Sequence, residues 1–259
     1  MENSRIINDL QTATFQIYKE NGLASISGMD SKYILNGRSI FEWHLSATRK
    51  SMIKHGTTFN YFQNLDDILF CSDELLYFTG QLYLYRPFIN NPLRDSYYAG
   101  DKNVYPNIQN LAAKRYSMFS DVVGQSAYNY WDRIGDLIAS FFPKIIKPER
   151  VFFVSAIEAV PSEFHTSINY AWLDDFKNNG YKELNKMRKD IVHYKTSDTT
   201  YKHQHLASSN NRELIAELHA EREALPDYYK KHLALTIEGF EKTLSLLEEI
   251  DSQINADVV

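Results

Sequence analysis

An arginine and a histidine held close together can form a catalytic pair. The guanidinium stays charged and can fork two donors onto phosphate oxygens. An imidazole titrates near neutral pH and can accept and return a proton without a metal. Arg188 and His193, five apart in "MRKDIVHYKT", offer this chemistry. The spacing alone is permissive. With 8 histidines in 259 residues, an arginine followed by four to six residues and then a histidine arises about once by chance. Arg49–His55 and Arg212–His219 satisfy it as well, so the surrounding residues must decide.

The other chemistry-bearing residues are weaker signals. "KHQH" sets His203 and His205 close together, but a zinc site wants three or four ligands and no CxxC or HxxxH stands nearby to complete one. They are expected to be solvated loop histidines. Cys71 is the single cysteine, which excludes an internal disulfide, and its place in the most apolar helical stretch reads as inert core rather than nucleophile. Asp66–Asp67 and Asp174–Asp175 are carboxylate pairs, yet neighbours on a helix point about 100° apart, so they read as capping or solvated charges. There is no GxGxxG, GxxxxGK[ST] or GxSxG. No cofactor or metal is expected.

The elements that must position these residues read as helices. "YKELNKMRKDIVHY" carries Leu184, Met187, Ile191 and Tyr194 as one apolar stripe, entered through the "NNG" at Asn178–Gly180. Arg188 falls about 90° to one side of that stripe and His193 about 130° to the other, so the two stand about 140° apart. A straight helix does not bring both to one ligand. Either the helix loosens at His193, or a twofold axis collects two copies of each.

Elsewhere, "RSIFEWHLSATRKSMIKHG" predicts an amphipathic helix stopped at Gly56, and "NLDDILFCSDELLYFTGQLYLY" predicts a buried one. Residues 86–106 are dense in turn formers and read as a long loop. The longest helix is expected within Asn107–Phe142, ended by Pro143, with Pro148 and Pro161 punctuating the stretch before α-helical spacing resumes. "KTSDTTYKHQHLASSNN" reads as a polar loop, and a last helix is expected from Pro226 to Ile250. Strand signals are nearly absent, so the expected class is all-α.

Composition bounds the function. A net charge of −5 denies the chain the globally basic surface of a protein that coats nucleic acid. Between Lys182 and His205, however, six basic residues face three acidic ones, so any polyanion contact is expected to be local. Lys186, Lys189 and Lys195 are the candidate RNA-binding lysines beside Arg188 and His193. The start lacks the order of a signal peptide, and no stretch reaches the roughly 18 apolar residues of a membrane helix, so the expectation is a cytoplasmic protein without membrane contact.

"LNKMRKDIVHYKT" resembles the signature of the HEPN superfamily, all-α domains of higher eukaryotes and prokaryotes. Met187, Arg188, Lys189, Ile191, Val192 and His193 stand in the signature's places. "YNYWDRIGDLI", with Asp132 and Arg133, is similar to the acidic–basic pair of an upstream helix in that family. The resemblance implies a HEPN-like helical domain over 106–259, preceded by an N-terminal helical region over 1–105. It implies a metal-independent endoribonuclease acting as a homodimer in a toxin–antitoxin or antiviral setting, with RNA as substrate and an antitoxin-like protein as partner. Arg188 would then bind the scissile phosphate and His193 would move the proton of a 2′-hydroxyl. Two positions depart from the pattern. Lys189 stands where many active members carry Asn, Asp or His, and Tyr194 is one residue out of register with the tyrosine some members place two after the histidine. Members that have lost activity bind or dimerise only, so a non-catalytic module stays open beside the nuclease.

Overall fold

The computed structural model describes residues 2–28, 33–49, 61–141 and 150–256. The architecture is all-α, as the sequence predicts. The helices are α1 (Glu2–Asn21), α2 (Ile40–Arg49), α3 (Tyr61–Tyr85), α4 (Leu111–Ser140), α5 (Phe153–Glu158), α6 (Ile168–Asn178), α7 (Gly180–His193), α8 (Ser197–Ala207) and α9 (Arg212–Ala256). Two small antiparallel hairpins accompany them, β1 (Ile34–Leu35) with β2 (Arg38–Ser39), and β3 (Tyr97–Ala99) with β4 (Lys102–Val104). The second hairpin and a 3₁₀ turn at Arg86–Phe88 lie in the stretch expected to be a long loop. The expected stops at Gly56, Pro143 and Pro148 lie outside the described residues, as does His55.

Local chemistry explains the helix ends. Gly22 takes φ +59° after α1, and the Leu23 N–H reaches back to the Tyr18 carbonyl at 2.9 Å, closing the helix with a left-handed cap. Asn110 accepts from the Ala113 N–H at 2.7 Å ahead of α4, Ser167 caps α6, and Asn211 accepts from Glu213 and Leu214 ahead of α9. Asn179 sits between α6 and α7, so "NNG" is the break it was expected to be.

Three expectations need correction. "KTSDTTYKHQHLASSNN" is not a loop: Thr196 accepts from the Thr199 N–H and starts α8. The longest described helix is α9 with 45 residues, not α4. Pro226 does not begin the last helix but lies inside it. A proline there leaves the carbonyl of Arg222 without its helical partner. Tyr116 on α4 donates its hydroxyl to that carbonyl at 2.6 Å, so the helix continues.

The chain forms two compact units that interleave in sequence. The first comprises Met1–Leu23, Leu76–Gln125 and Met187–His232. Its core gathers Leu82, Tyr116, Val123, Ile215 and Tyr229. Arg222 is buried there, donating to the Ala113 carbonyl at 2.9 Å and to Ser117 Oγ at 3.0 Å, with its guanidinium 4.5 Å from the Tyr201 ring centroid. The second unit comprises Ala24–Leu75, Ser126–Lys186 and Leu233–Val259. Trp131 is its centre, with ring centroids of Phe176 at 4.0 Å and Phe153 at 5.1 Å. Gly239 lies so close to Trp131 that a Cβ would collide with the ring, which is why α9 needs glycine at that point.

Candidate functional site

Helix α7 carries both candidate residues and is fixed along its length. In the second unit, Tyr181 in its first turn donates to Asp132 Oδ1 at 2.8 Å, and the Phe153 N–H reaches the same oxygen at 3.3 Å. Burial pushes the Asp132 carboxyl up against the pull of those hydrogen bonds. Its neighbour Arg133 pairs with Asp136 at 2.6 Å. The Asp132–Arg133 pair is thus a brace, and Asp132 is what anchors the start of α7.

In the first unit, Met187 and Ile191 face α4. A Cβ on Gly124 would stand 3.3 Å from Met187 Sδ, 3.6 Å from Ile191 Cδ1 and 3.0 Å from Tyr229 Oη. Tyr229 donates to the Ser120 carbonyl at 3.2 Å and lies 3.1 Å from Met187 Sδ. Just beyond α7, the Ser197 N–H donates to Asp121 Oδ1 at 3.0 Å, tying the α7–α8 turn to α4. Asp121 was missed in the sequence. Its signal was present, since it is the single charge between Arg115 and Asp132 in an otherwise neutral run.

Within these contacts Arg188 is half-buried and His193 is exposed as the last helical residue. The Asp190 carbonyl accepts from the N–H groups of both Tyr194 and Lys195, at 3.0 and 2.9 Å, which closes the helix directly after His193. The helix therefore does not loosen at His193, and the pair stays about 140° apart on one helix, separated by about 7.5 Å of rise. Tyr194 is not the fourth member of the apolar stripe. It lies past the helix end, 77% exposed, with its ring in edge contact with that of His193 at 6.4 Å.

Lys186, Lys189 and Lys195 are all exposed. On α7 the positions Lys182, Lys186, Lys189 and His193 follow the spacing 4, 3, 4, which sets them within about 60° of one another. That stripe puts three cations in line with the imidazole. Arg188 lies about 130° round the helix from the centre of that stripe.

The rival pair Arg212–His219 does not make a site. Arg212 is exposed while His219 is buried on the same helix, 3.3 Å from Glu223. Arg49–His55 lies outside the described side chains. A fourth occurrence of the spacing, Arg38–His44, has Arg38 on Glu248 at 2.9 Å and His44 buried. "KHQH" divides as well. His203 is exposed, as expected, but His205 is only 1% exposed and its Nε2 lies 2.8 Å from the Tyr105 carbonyl. Tyr201 and His205 are four apart and face inward together, a helical signal that the loop reading overlooked. Burial, with Glu74 nearby, pushes the Cys71 thiol up to about 11, so it stays protonated at neutral pH. Asp174 pairs with Lys177 at 2.7 Å and Asp175 accepts from Asn179 at 2.9 Å, which are structural contacts. Among the described residues no group of three or more His, Cys, Asp and Glu is placed to hold a metal, and no helix is long and apolar enough to cross a membrane.

An all-α chain with an Arg–His pair closing one helix points to a class, and the comparison with protein families names it. The model of the Cthe2314-like HEPN family matches residues 90–255, more than half of the chain. The protein belongs to the HEPN superfamily. No curated protein and no solved structure matches it.

Proposed function

We propose that this protein is a metal-independent endoribonuclease of the HEPN type, acting as a homodimer. The observation that carries the reading is the placement of Arg188 and His193 on α7, inside the family match, with His193 exposed at the helix end. His193 takes the proton of a 2′-hydroxyl, whose oxygen attacks the adjacent phosphorus. The P–O5′ bond breaks, and the proton passes to the leaving 5′-oxygen. Arg188 holds the phosphate oxygens and balances the charge that builds on them. Lys186, Lys189 and Lys195 bind the flanking RNA backbone, which fits the local excess of basic residues between Lys182 and His205 on an acidic chain. The setting is toxin–antitoxin or antiviral defence, with an antitoxin-like protein as partner.

The test is incubation of single-stranded RNA with the purified chain in EDTA. Cleavage that survives the chelator and leaves 2′,3′-cyclic phosphate ends supports the reading, and absence of any cleavage overturns it. The 140° divergence of the pair within one helix favours a second reading, a non-catalytic HEPN-like module that binds nucleotide, RNA or protein. RNA bound but left intact by the same preparation selects it.

A further inference from the structure

The first unit holds a groove of about 400 Å³ bounded by α1, α3 and α4, in which Arg188 and His193 take no part. Its walls arise from helical spacing. On α3, Tyr77, Gln81 and Tyr85 recur every four residues and share one face. On α4, Leu111, Lys114, Arg115 and Met118 share a face at spacings of three and four. Helix α1 supplies Leu10 and is seated by Tyr18, whose ring covers Gly80 of α3.

The lining has a definite chemistry. Tyr77, Tyr85 and Phe119 present aromatic surface, and the Tyr85 and Phe119 rings brace each other with centroids 5.6 Å apart. Lys114 and Arg115 give the groove two positive charges, and among the described residues no carboxylate lines it, although the chain as a whole is acidic. Arg115 donates one N–H to Tyr85 Oη at 3.0 Å, which fixes its guanidinium against the aromatic wall while other N–H groups of the fork remain. Gln81 is 3% exposed, and its Nε2 has no hydrogen-bond partner among the described residues. A buried amide donor without an acceptor is costly and calls for an account. An acceptor atom on a molecule occupying the groove supplies one.

We propose that this groove binds a small organic anion with a planar apolar body, its charged group against Lys114 and Arg115, its rings between the aromatic side chains, and an acceptor atom on Gln81. The volume lies within the range of small-molecule sites, as does the mixture of apolar walls with a few converging polar groups. The inference does not depend on the nuclease reading.

Two probes that share a ring system test it. One is 1-anilinonaphthalene-8-sulfonate, an aryl anion, and the other is N-phenyl-1-naphthylamine, which lacks the sulfonate. With the full chain, fluorescence titration is expected to show saturable one-to-one binding of the sulfonate and at least tenfold weaker binding of the neutral amine. Lys114→Glu with Arg115→Glu should weaken the sulfonate at least tenfold without moving the melting temperature, because both side chains are exposed. Gln81→Leu should weaken it further, and Lys102→Glu on the β3–β4 hairpin should not change it. Equal binding of both probes, untouched by the charge reversal, would mean a plain apolar face and overturn the proposal. So would the absence of saturable sulfonate binding, or its loss as the protein self-associates at higher concentration, which would assign the groove to a second copy.

Discussion

Tyr116 donates its hydroxyl proton to the backbone carbonyl of Arg222 at 2.6 Å, four residues before Pro226. The proline removes the amide that this buried carbonyl would have accepted, and the tyrosine replaces it. Tyr116→Phe should therefore destabilise the chain by about 1–3 kcal/mol, the usual range for a buried group left unsatisfied. Pro226→Ala restores the amide, so the same Tyr116→Phe change should cost much less in that background. Urea unfolding of the four members of this cycle measures the coupling. Additive losses would show that the two residues do not act on one carbonyl.

His205 and His203 are predicted to separate. His205→Ala removes a buried ring and strands the Tyr105 carbonyl, so a loss of about 1–3 kcal/mol is expected on chemical denaturation. His203→Ala changes an exposed side chain and should stay within about 0.5 kcal/mol. Cleavage assays should accordingly use His203→Ala as their neutral control, since any fall in the His205 variant would mix folding with chemistry.

His219 should make the first unit acid-sensitive. Burial is the main reason its pKa lies below 6.5, with Glu223 opposing and Arg222 and Arg94 reinforcing the shift. A histidine with a lowered folded pKa binds fewer protons folded than unfolded. Its contribution is thus complete above the unfolded value of 6.5 and declines as pH falls below it. Urea unfolding from pH 8 to 5.5 should show the native chain losing more stability on acidification than His219→Gln. Parallel curves for the two proteins would exclude His219 as the source.

How far the sequence is legible depends on the range of the interactions. Helix α7 was legible because Leu184, Met187 and Ile191 recur at helical spacing and "NNG" interrupts the chain before it. Helix α8 was hidden because its inward face is only Tyr201 and His205, too short a stripe among polar neighbours, and the Thr196 cap passed for a turn residue. The continuity of α9 through Pro226 depends on Tyr116, 106 residues before its acceptor at Arg222, which no local pattern encodes. At the candidate site, Arg188 and His193 were visible by type and spacing. The residues that hold their helix, Asp121 and Gly124 on α4, belong to distant sequence and appear only when the helices pack.

If His193 moves the proton, His193→Ala should lower the cleavage rate by about 10²–10⁴-fold, the usual worth of general acid–base catalysis. Arg188→Ala should fall comparably, because a phosphate contact that tightens in the transition state acts on rate as well as binding. His193 is exposed, so its variant should melt with the native chain. Single-turnover cleavage of a labelled RNA gives the rates. A His193→Ala enzyme that cuts as fast as the native one would reduce the pair to a chance spacing.

The divergence of Arg188 and His193 on an unbroken α7 leads to the last prediction. If one helix does not bring both to a phosphate, the site draws Arg188 from one copy and His193 from the other across a twofold axis. An Arg188→Ala chain and a His193→Ala chain, differently tagged and purified as a mixed dimer, then regenerate one intact site of two. Such a heterodimer should show about half the native activity, far above either homodimeric variant. Light scattering at tens of micromolar should give the mass of a dimer for the native chain. A monomer in that measurement, or a heterodimer as inactive as its parents, would rule out the shared site and return both residues to a single chain.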